Sequence, residues 1–342
     1  VYQYCPFFKR ATQIYYFRNK SAIFAKIFFQ IIISMSLLTV GTVAFDDVET
    51  PFGRAEKIVG GAATYIALSA SYYTDEIKIV SVIGDDFPKD VLSYMEGRGI
   101  DLEGLQVKEG EKSFFWAGKY RDNMNERDTL DTQLNVLADF DPVLPASYLG
   151  AEYVMLGNLT PAVQKRVIEQ MPKRPKLVGM DTMNFWMDTD MEGLKEVLKL
   201  VDVLLINDEE ARQLSGEYSL VKAAALIHEM GPKTIVVKKG EHGALLFHKG
   251  EVFFAPALPL AEVFDPTGAG DTFAGGFMGY MASTDDLSFE NMKRAVIYGS
   301  AMASFCVEKF GIERLKELSE DEITERIVRF VQLVNFDAKL KV

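Results

Sequence analysis

Cysteine and histidine are nearly absent from this sequence, and a surplus of basic charge is absent altogether. The two cysteines, Cys5 and Cys306, stand near opposite ends of the 342-residue chain, which excludes a disulfide framework and suits a reducing compartment. The three histidines, His228, His242 and His248, fall in no metal-ligand spacing, so a zinc site is not expected. With 37 Lys and Arg against 49 Asp and Glu, the net charge is -12. Clustered cations able to neutralise a phosphate backbone are lacking, so nucleic acid is excluded and small-molecule partners are expected. Repeats, low-complexity tracts and an interdomain linker are also missing. What is there is ordinary for a globular enzyme: 48% hydrophobic and 25% charged residues, enough chain to bury a large core.

Residues 1–34 differ from the rest. They carry Lys9, Arg10, Arg18, Lys20 and Lys26 with no acidic residue, and the stretch from Ile27 to Phe45 is uncharged. One reading is a signal peptide or N-terminal anchor, a basic flank followed by an apolar run. The competing reading begins at Met35, the first methionine, and takes Leu37 to Val43 as a buried strand. One segment cannot both cross a bilayer and sit in a core sheet. The fold is therefore read over 35–342, with 1–34 an extension expected to be non-native or unpacked.

From Met35 onward, short apolar runs (Leu37 to Val43, Ile77 to Ile83, Tyr153 to Leu156, Leu177 to Met180, Val203 to Ile206, Thr234 to Lys238, Ala244 to Phe247) alternate with helical patterns such as Ala62 to Tyr72 and Leu220 to Met230. That rhythm predicts an α/β fold: a doubly wound, mainly parallel sheet flanked by helices. Two segments break it, about 48–58 and 105–131, where Ser113 to Tyr120 mixes aromatics with charge in β-favouring order. They read as a small β lid over the carboxyl ends of the core strands, able to exclude water from a transfer reaction; an ordinary surface hairpin is the alternative. Edge strands of such a lid also offer a route to a homodimer.

The most informative stretch is Asp265-Pro266-Thr267-Gly268-Ala269-Gly270-Asp271-Thr272-Phe273, leading into an apolar helix. Small residues at 268–270 let the backbone approach a ligand, and the amides of the first helical turn point unpaired donors outward. A carboxylate at the mouth of that hole, Asp271, is placed to accept a proton from an attacking hydroxyl. On local physics alone, Asp271 as a plain helix cap stands level with this reading.

The segment resembles the carboxyl-terminal signature of the ribokinase-like (phosphofructokinase B) family of carbohydrate and nucleoside kinases, Asp-Thr-x-Gly-Ala-Gly-Asp, here with Pro266 in second place. The resemblance implies Asp271 as catalytic base and Gly268, Ala269 and Gly270 as an anion hole. It runs in order over roughly 36–312. Asn207-Asp208-Glu209-Glu210 is similar to the family's Asn-x-x-Glu element, implying that Asn207 and Glu210 organise Mg2+ and phosphates through water. Lys239-Gly240-Glu241-His242-Gly243 resembles the nucleotide-contacting turn, implying that Gly240 and Gly243 lie against ATP. Ser300 and Ser304 fall where the family lines the adenine pocket, with close helix packing as an equal alternative.

On the acceptor side, Asp46, five residues beyond Gly41, resembles the strand-end aspartate that grips substrate hydroxyls, and a carboxylate can accept from two vicinal hydroxyls. Gly60-Gly61-Ala62-Ala63-Thr64-Tyr65 resembles the amino-terminal diglycine signature, with Tyr65 where the family has asparagine. Asn158, Asp181 and Asn184 lie at further strand ends, where open α/β sheets bind ligands; turn stabilisation is their alternative. Phe114, Phe115 and Trp116 are candidates for stacking on a planar base. The resulting expectation is a cytoplasmic ATP- and Mg2+-dependent phosphotransferase acting on a hydroxyl of a sugar or nucleoside. The alternative is a non-catalytic ligand-binding sensor of the same fold.

Overall fold

Successive strand residues point to two different cores. Leu37, Ile79, Met155 and Leu205 join one apolar cluster, whereas Leu38, Val80, Leu156 and Ile206 join another. A strand buried on both faces reads as a continuous apolar run, which is why these segments were visible in the sequence. The computed structural model describes residues 35–335; the proposed extension, 1–34, and residues 336–342 lie outside the described residues.

The strands are β1 (Leu37–Val40), β2 (Ala44–Thr50), β3 (Gly53–Gly60), β4 (Ile77–Gly84), β5 (Ile100–Lys108), β6 (Phe114–Tyr120), β7 (Arg127–Gln133), β8 (Tyr153–Leu156), β9 (Leu177–Met180), β10 (Val203–Asn207), β11 (Thr234–Lys238), β12 (Ala244–His248) and β13 (Glu251–Ala255). The helices are α1 (Ala62–Ala70), α2 (Lys89–Gly97), α3 (Pro161–Gln170), α4 (Asn184–Thr189), α5 (Met191–Leu198), α6 (Asp208–Ser215), α7 (Leu220–Met230), α8 (Ala269–Thr284), α9 (Phe289–Cys306), α10 (Glu313–Glu317) and α11 (Glu320–Val334).

Among the described residues nine strands form one sheet in the order β13-β12-β11-β10-β9-β8-β1-β4-β5, parallel except for β12, which runs against both neighbours. Residues of α1, α8 and α9 pack into the first core, and residues of α3, α5, α6 and α7 into the second. β1 sits between β8 and β4. The chain leaves β1 toward β4 and returns later to β8, so the crevice at their carboxyl ends is a topological switch point.

The expected strand from Leu37 to Val43 ends at Val40. At Gly41 the backbone passes so close to the start of α1 that an added Cβ would stand 2.8 Å from the Ala63 amide nitrogen. Beyond it the chain enters a second sheet, β3-β2-β6-β7, in which β2 pairs parallel to β6 and antiparallel to β3. This small sheet therefore starts at Ala44, earlier than 48, while residues 105–108 belong to β5 of the large sheet. Among the described residues no helix is long and apolar enough to cross a membrane.

Candidate active site

The turn that opens α8 is fixed by Asp265. Its Oδ1 accepts from the Thr267 amide at 2.8 Å and its Oδ2 from the Gly311 amide at 3.0 Å. Gly268 is the N-cap residue at φ +74°, a left-handed conformation open to glycine, and it offers no side-chain cap to the helix. The Ala269 amide donates to Pro266 O at 3.2 Å. That closes one member of the expected anion hole, leaving the Gly268 and Gly270 amides, which make no hydrogen bond among the described residues.

Around this turn, charges gather from distant parts of the chain. Asp271, in the first turn of α8, is pushed up to about 7 by burial and by the Asp181 charge, with Lys238 and Arg127 pulling the other way. Glu210 rises to about 7 for the same first two reasons. Asp46 on β2 is buried and reaches about 8, through burial and then the charges of Asp265, Asp271 and Asp47. Gly60, the last residue of β3, makes room for it: a Cβ there would stand 1.9 Å from Asp46 Oδ2. Gly61, at φ +95°, would place a Cβ 2.5 Å from Thr42 O. The diglycine and the strand-end aspartate thus form one packed unit.

Tyr65, the departure from the family pattern, does not stand open to solvent. Its ring lies under Gly268, 2.4 Å from where a Cβ would be, and its hydroxyl has no hydrogen-bond partner.

Other expected residues are reached less directly. Asn207 and Glu210 form a reciprocal capping box at the start of α6, the Asn207 side chain accepting from the Glu210 amide and Glu210 Oε2 from the Asn207 amide, both at 2.8 Å. Gly240 (φ +52°) would place a Cβ 2.6 Å from Asn125 Oδ1, at the tip of the β6–β7 hairpin. Gly243 (φ +83°) is pressed against Ala255 O, so a close approach to β13 already requires a glycine there. Asn158, after β8, accepts from Trp186 Nε1 at 2.8 Å. Ser304 is turned into helix packing: its hydroxyl donates to Ala301 O and accepts from Arg326 Nη1 at 2.8 Å. Ser300 is partly exposed on the same helix.

The small sheet presents one face to this cluster. Trp116 pairs in register with Asp46, and Phe115 with Phe45, so Trp116 shares the face of the carboxylate while Phe115 packs into the core. Phe115 is thereby removed as a stacking candidate. The indole lies across Gly118, with the Arg127 guanidinium 5.8 Å from its ring centre. Two residues on from Gly118, the Tyr120 hydroxyl accepts from Thr267 Oγ1 at 3.2 Å, joining this face to the motif turn.

Sequence reasoning passed over Lys238 and Arg127. Lys238 ends the apolar run of β11, and a cation at the carboxyl end of a strand of the large sheet was the available signal. Its Nζ lies 3.4 Å from Asp181 Oδ2 and 2.9 Å from where a Cβ on Gly270 would be. Arg127 carried no such signal, because its charge reaches Asp271 only through the fold of the hairpin.

The chain is 29% identical over 250 residues to a cytidine kinase of Thermococcus kodakarensis, covering 71% of this chain and 87% of the relative. It is 25% identical over 308 residues to a nucleoside kinase of Methanothermobacter thermautotrophicus, covering 81% and 91%. Its fold matches that of Arabidopsis thaliana ribokinase, solved with ribose and ATP, at a TM-score of 0.69 and 20% identity over 86% of this chain and 99% of that one. The pfkB family carbohydrate kinase model matches residues 30–317. With that match spanning most of the sequence, and with the family's motif turn, diglycine and strand-end aspartate packed around one cluster, the chain belongs to the pfkB family of carbohydrate kinases, as a sugar or nucleoside kinase.

Proposed function

We propose that this chain transfers the γ-phosphoryl group of ATP to a hydroxyl of a nucleoside, with Asp271 as the base. The observation that carries the reading is the placing of Asp271 at the mouth of α8, behind two free glycine amides and beside the buried Asp46. Asp46 accepts hydrogen bonds from the acceptor's hydroxyls and so turns one of them toward Asp271. Asp271 removes the proton of that hydroxyl as its oxygen attacks phosphorus. The amides of Gly268 and Gly270, with the positive end of the α8 dipole, hold the charge on the transferred phosphoryl.

The donor set fits magnesium held through water rather than directly. Among the described residues no three His, Cys, Asp or Glu side chains are grouped to bind a metal, whereas Glu210 is a buried carboxylate whose ionised form a nearby dication would favour. Asn207 and Glu210 would anchor its waters, and the ion would neutralise phosphate charge. The small sheet acts as a lid, its hairpin tip at Asn125 touching Gly240 of the turn proposed to meet the nucleotide. Trp116, on the Asp46 face, offers the acceptor an aromatic plane, which favours a nucleoside over a bare sugar. The name of the Thermococcus relative is in line with this choice. The sensor reading has no support beside a family of kinases.

The test is to incubate the protein with magnesium-ATP and a panel of nucleosides, free sugars and sugar phosphates, and to read ADP. Nucleoside-dependent ADP that Asp271→Asn abolishes supports the proposal, and turnover confined to sugars would move the acceptor class.

A further inference from the structure

Lys238 is a largely enclosed cation with few protein partners. Its side chain is 16% exposed, and the 3.4 Å contact to Asp181 Oδ2 is the hydrogen bond it makes among the described residues. An ammonium group carries three donors, and the one contact to Asp181 leaves two of them available to an incoming anion. Burial alone would make the group easier to discharge, yet Asp181, Glu210 and Asp271 outweigh it and hold Lys238 charged. The nitrogen also lies close to the start of α8. It stands 2.9 Å from the position of a Cβ on Gly270, so it adjoins the outward-facing amides at the start of α8.

We propose that Lys238 is a catalytic residue of this kinase, its ammonium swinging from Asp181 to the transferred phosphoryl group and completing the anion hole on the side opened by Gly270. The inference rests on the phosphotransferase reading given above. During transfer the acceptor oxygen forms its bond to phosphorus while the bond from phosphorus to the β,γ-bridging oxygen breaks, the electron pair leaving with ADP. The acceptor's proton goes to Asp271. Lys238 keeps its own proton and donates hydrogen bonds to the non-bridging oxygens, where charge is held through the transition state. Because position 270 is a glycine, the ammonium has room to stand within 2.9 Å of where a Cβ would be.

The test compares Lys238→Met, which keeps the stem, and Lys238→Arg, which keeps the charge, with the unaltered full chain. Turnover is measured at pH 7 and 9, and binding of ADP and of a non-hydrolysable β,γ-imido ATP analogue is measured by calorimetry. Lys238→Met is expected to lower kcat about 100- to 1,000-fold at both pH values. It should weaken the ATP analogue at least tenfold more than ADP, because the γ-phosphoryl is what ADP lacks. Lys238→Arg is expected to recover at least tenfold of the lost kcat. Equal losses for ADP and the analogue would make the lysine a merely structural residue and overturn the proposal. Recovery of the Met variant at pH 9 would also overturn it, since the lysine would then act only by easing ionisation of Asp271. If the unaltered chain shows no acceptor-dependent turnover, the kinase reading fails first. Discrimination between analogue and ADP that vanishes in Lys238→Met would still support the γ-phosphoryl contact in that case.

Discussion

The ring of Tyr65 is the floor beneath Gly268: a Cβ on that glycine would stand 2.4 Å from the aromatic carbons. The diglycine segment and the turn from Asp265 to Asp271, far apart in sequence, therefore share one contact.

The hydroxyl of Tyr65 contributes little to that contact, since it is buried without a partner. Tyr65→Phe is expected to leave kcat within about twofold and to stabilise the fold by about 1 kcal/mol in urea unfolding, by removing an unmet polar group. Tyr65→Ala is expected to cost about 3–5 kcal/mol through the cavity it leaves. A Phe variant less stable than the parent would show that the hydroxyl has a partner.

Asp271 must be ionised to act as a base, and its pKa is raised to about 7 by burial and Asp181. The profile of kcat/KM against pH is thus expected to climb from pH 5.5 and level off above about 8, falling roughly tenfold per unit on the acid side. Asp271→Asn is expected to lose at least about 1,000-fold at pH 8. A flat profile from pH 5.5 to 9 would contradict the assignment.

Asp46 has a folded-state pKa of about 8 against an ordinary 3.8. The folded protein holds its proton more tightly than the unfolded chain, so the stability this supplies is complete at low pH and is lost as pH rises toward 8. Between pH 6 and 9 the ligand-free protein is expected to lose on the order of 2 kcal/mol through this group. In thermal melts, Asp46→Asn should flatten that dependence, raise stability at pH 9 and raise the KM for the acceptor. An Asn variant melting lower than the parent at pH 9 would overturn the electrostatic account.

Trp116 shares a lid face with Asp46. Trp116→Ala is expected to raise the KM for a nucleoside about 10-fold or more, the loss of about 1.5 kcal/mol of ring contact, while the KM for ATP stays within about twofold. Equal effects on both substrates would place the indole in lid folding rather than acceptor recognition.

Asn207 accepts from the Glu210 amide in the capping box. Asn207→Ala is expected to cost about 1 kcal/mol of stability and to raise the magnesium concentration needed for half-maximal rate. Asn207→Asp, which keeps the cap acceptor, should restore the stability, so a magnesium requirement that recovers with it would point to the cap and not to the ion.

The sequence by itself determined the parts whose physics is local. Runs apolar on both faces announced the strands of the large sheet, and the run Asp265 to Asp271 announced a helix entered through small residues with a carboxylate at its mouth. The run from Asn207 to Glu210 read only as the family's Asn-x-x-Glu element, and the fold showed the two residues capping a helix. What the tertiary structure alone decided were relations between remote residues. Tyr65 read as a missing asparagine until the fold set its ring under Gly268. Ala269 read as part of the anion hole until its amide was found on Pro266. The end of β1 at Gly41 followed from the nearness of α1, which no local pattern records. Lys238 looked like the polar end of a strand, and it became a candidate for chemistry only when packing placed it between Asp181 and Gly270. Periodicity reports how a segment meets its own neighbours along the chain, whereas the charge, burial and clearance at a site are set by whatever the fold brings there from elsewhere.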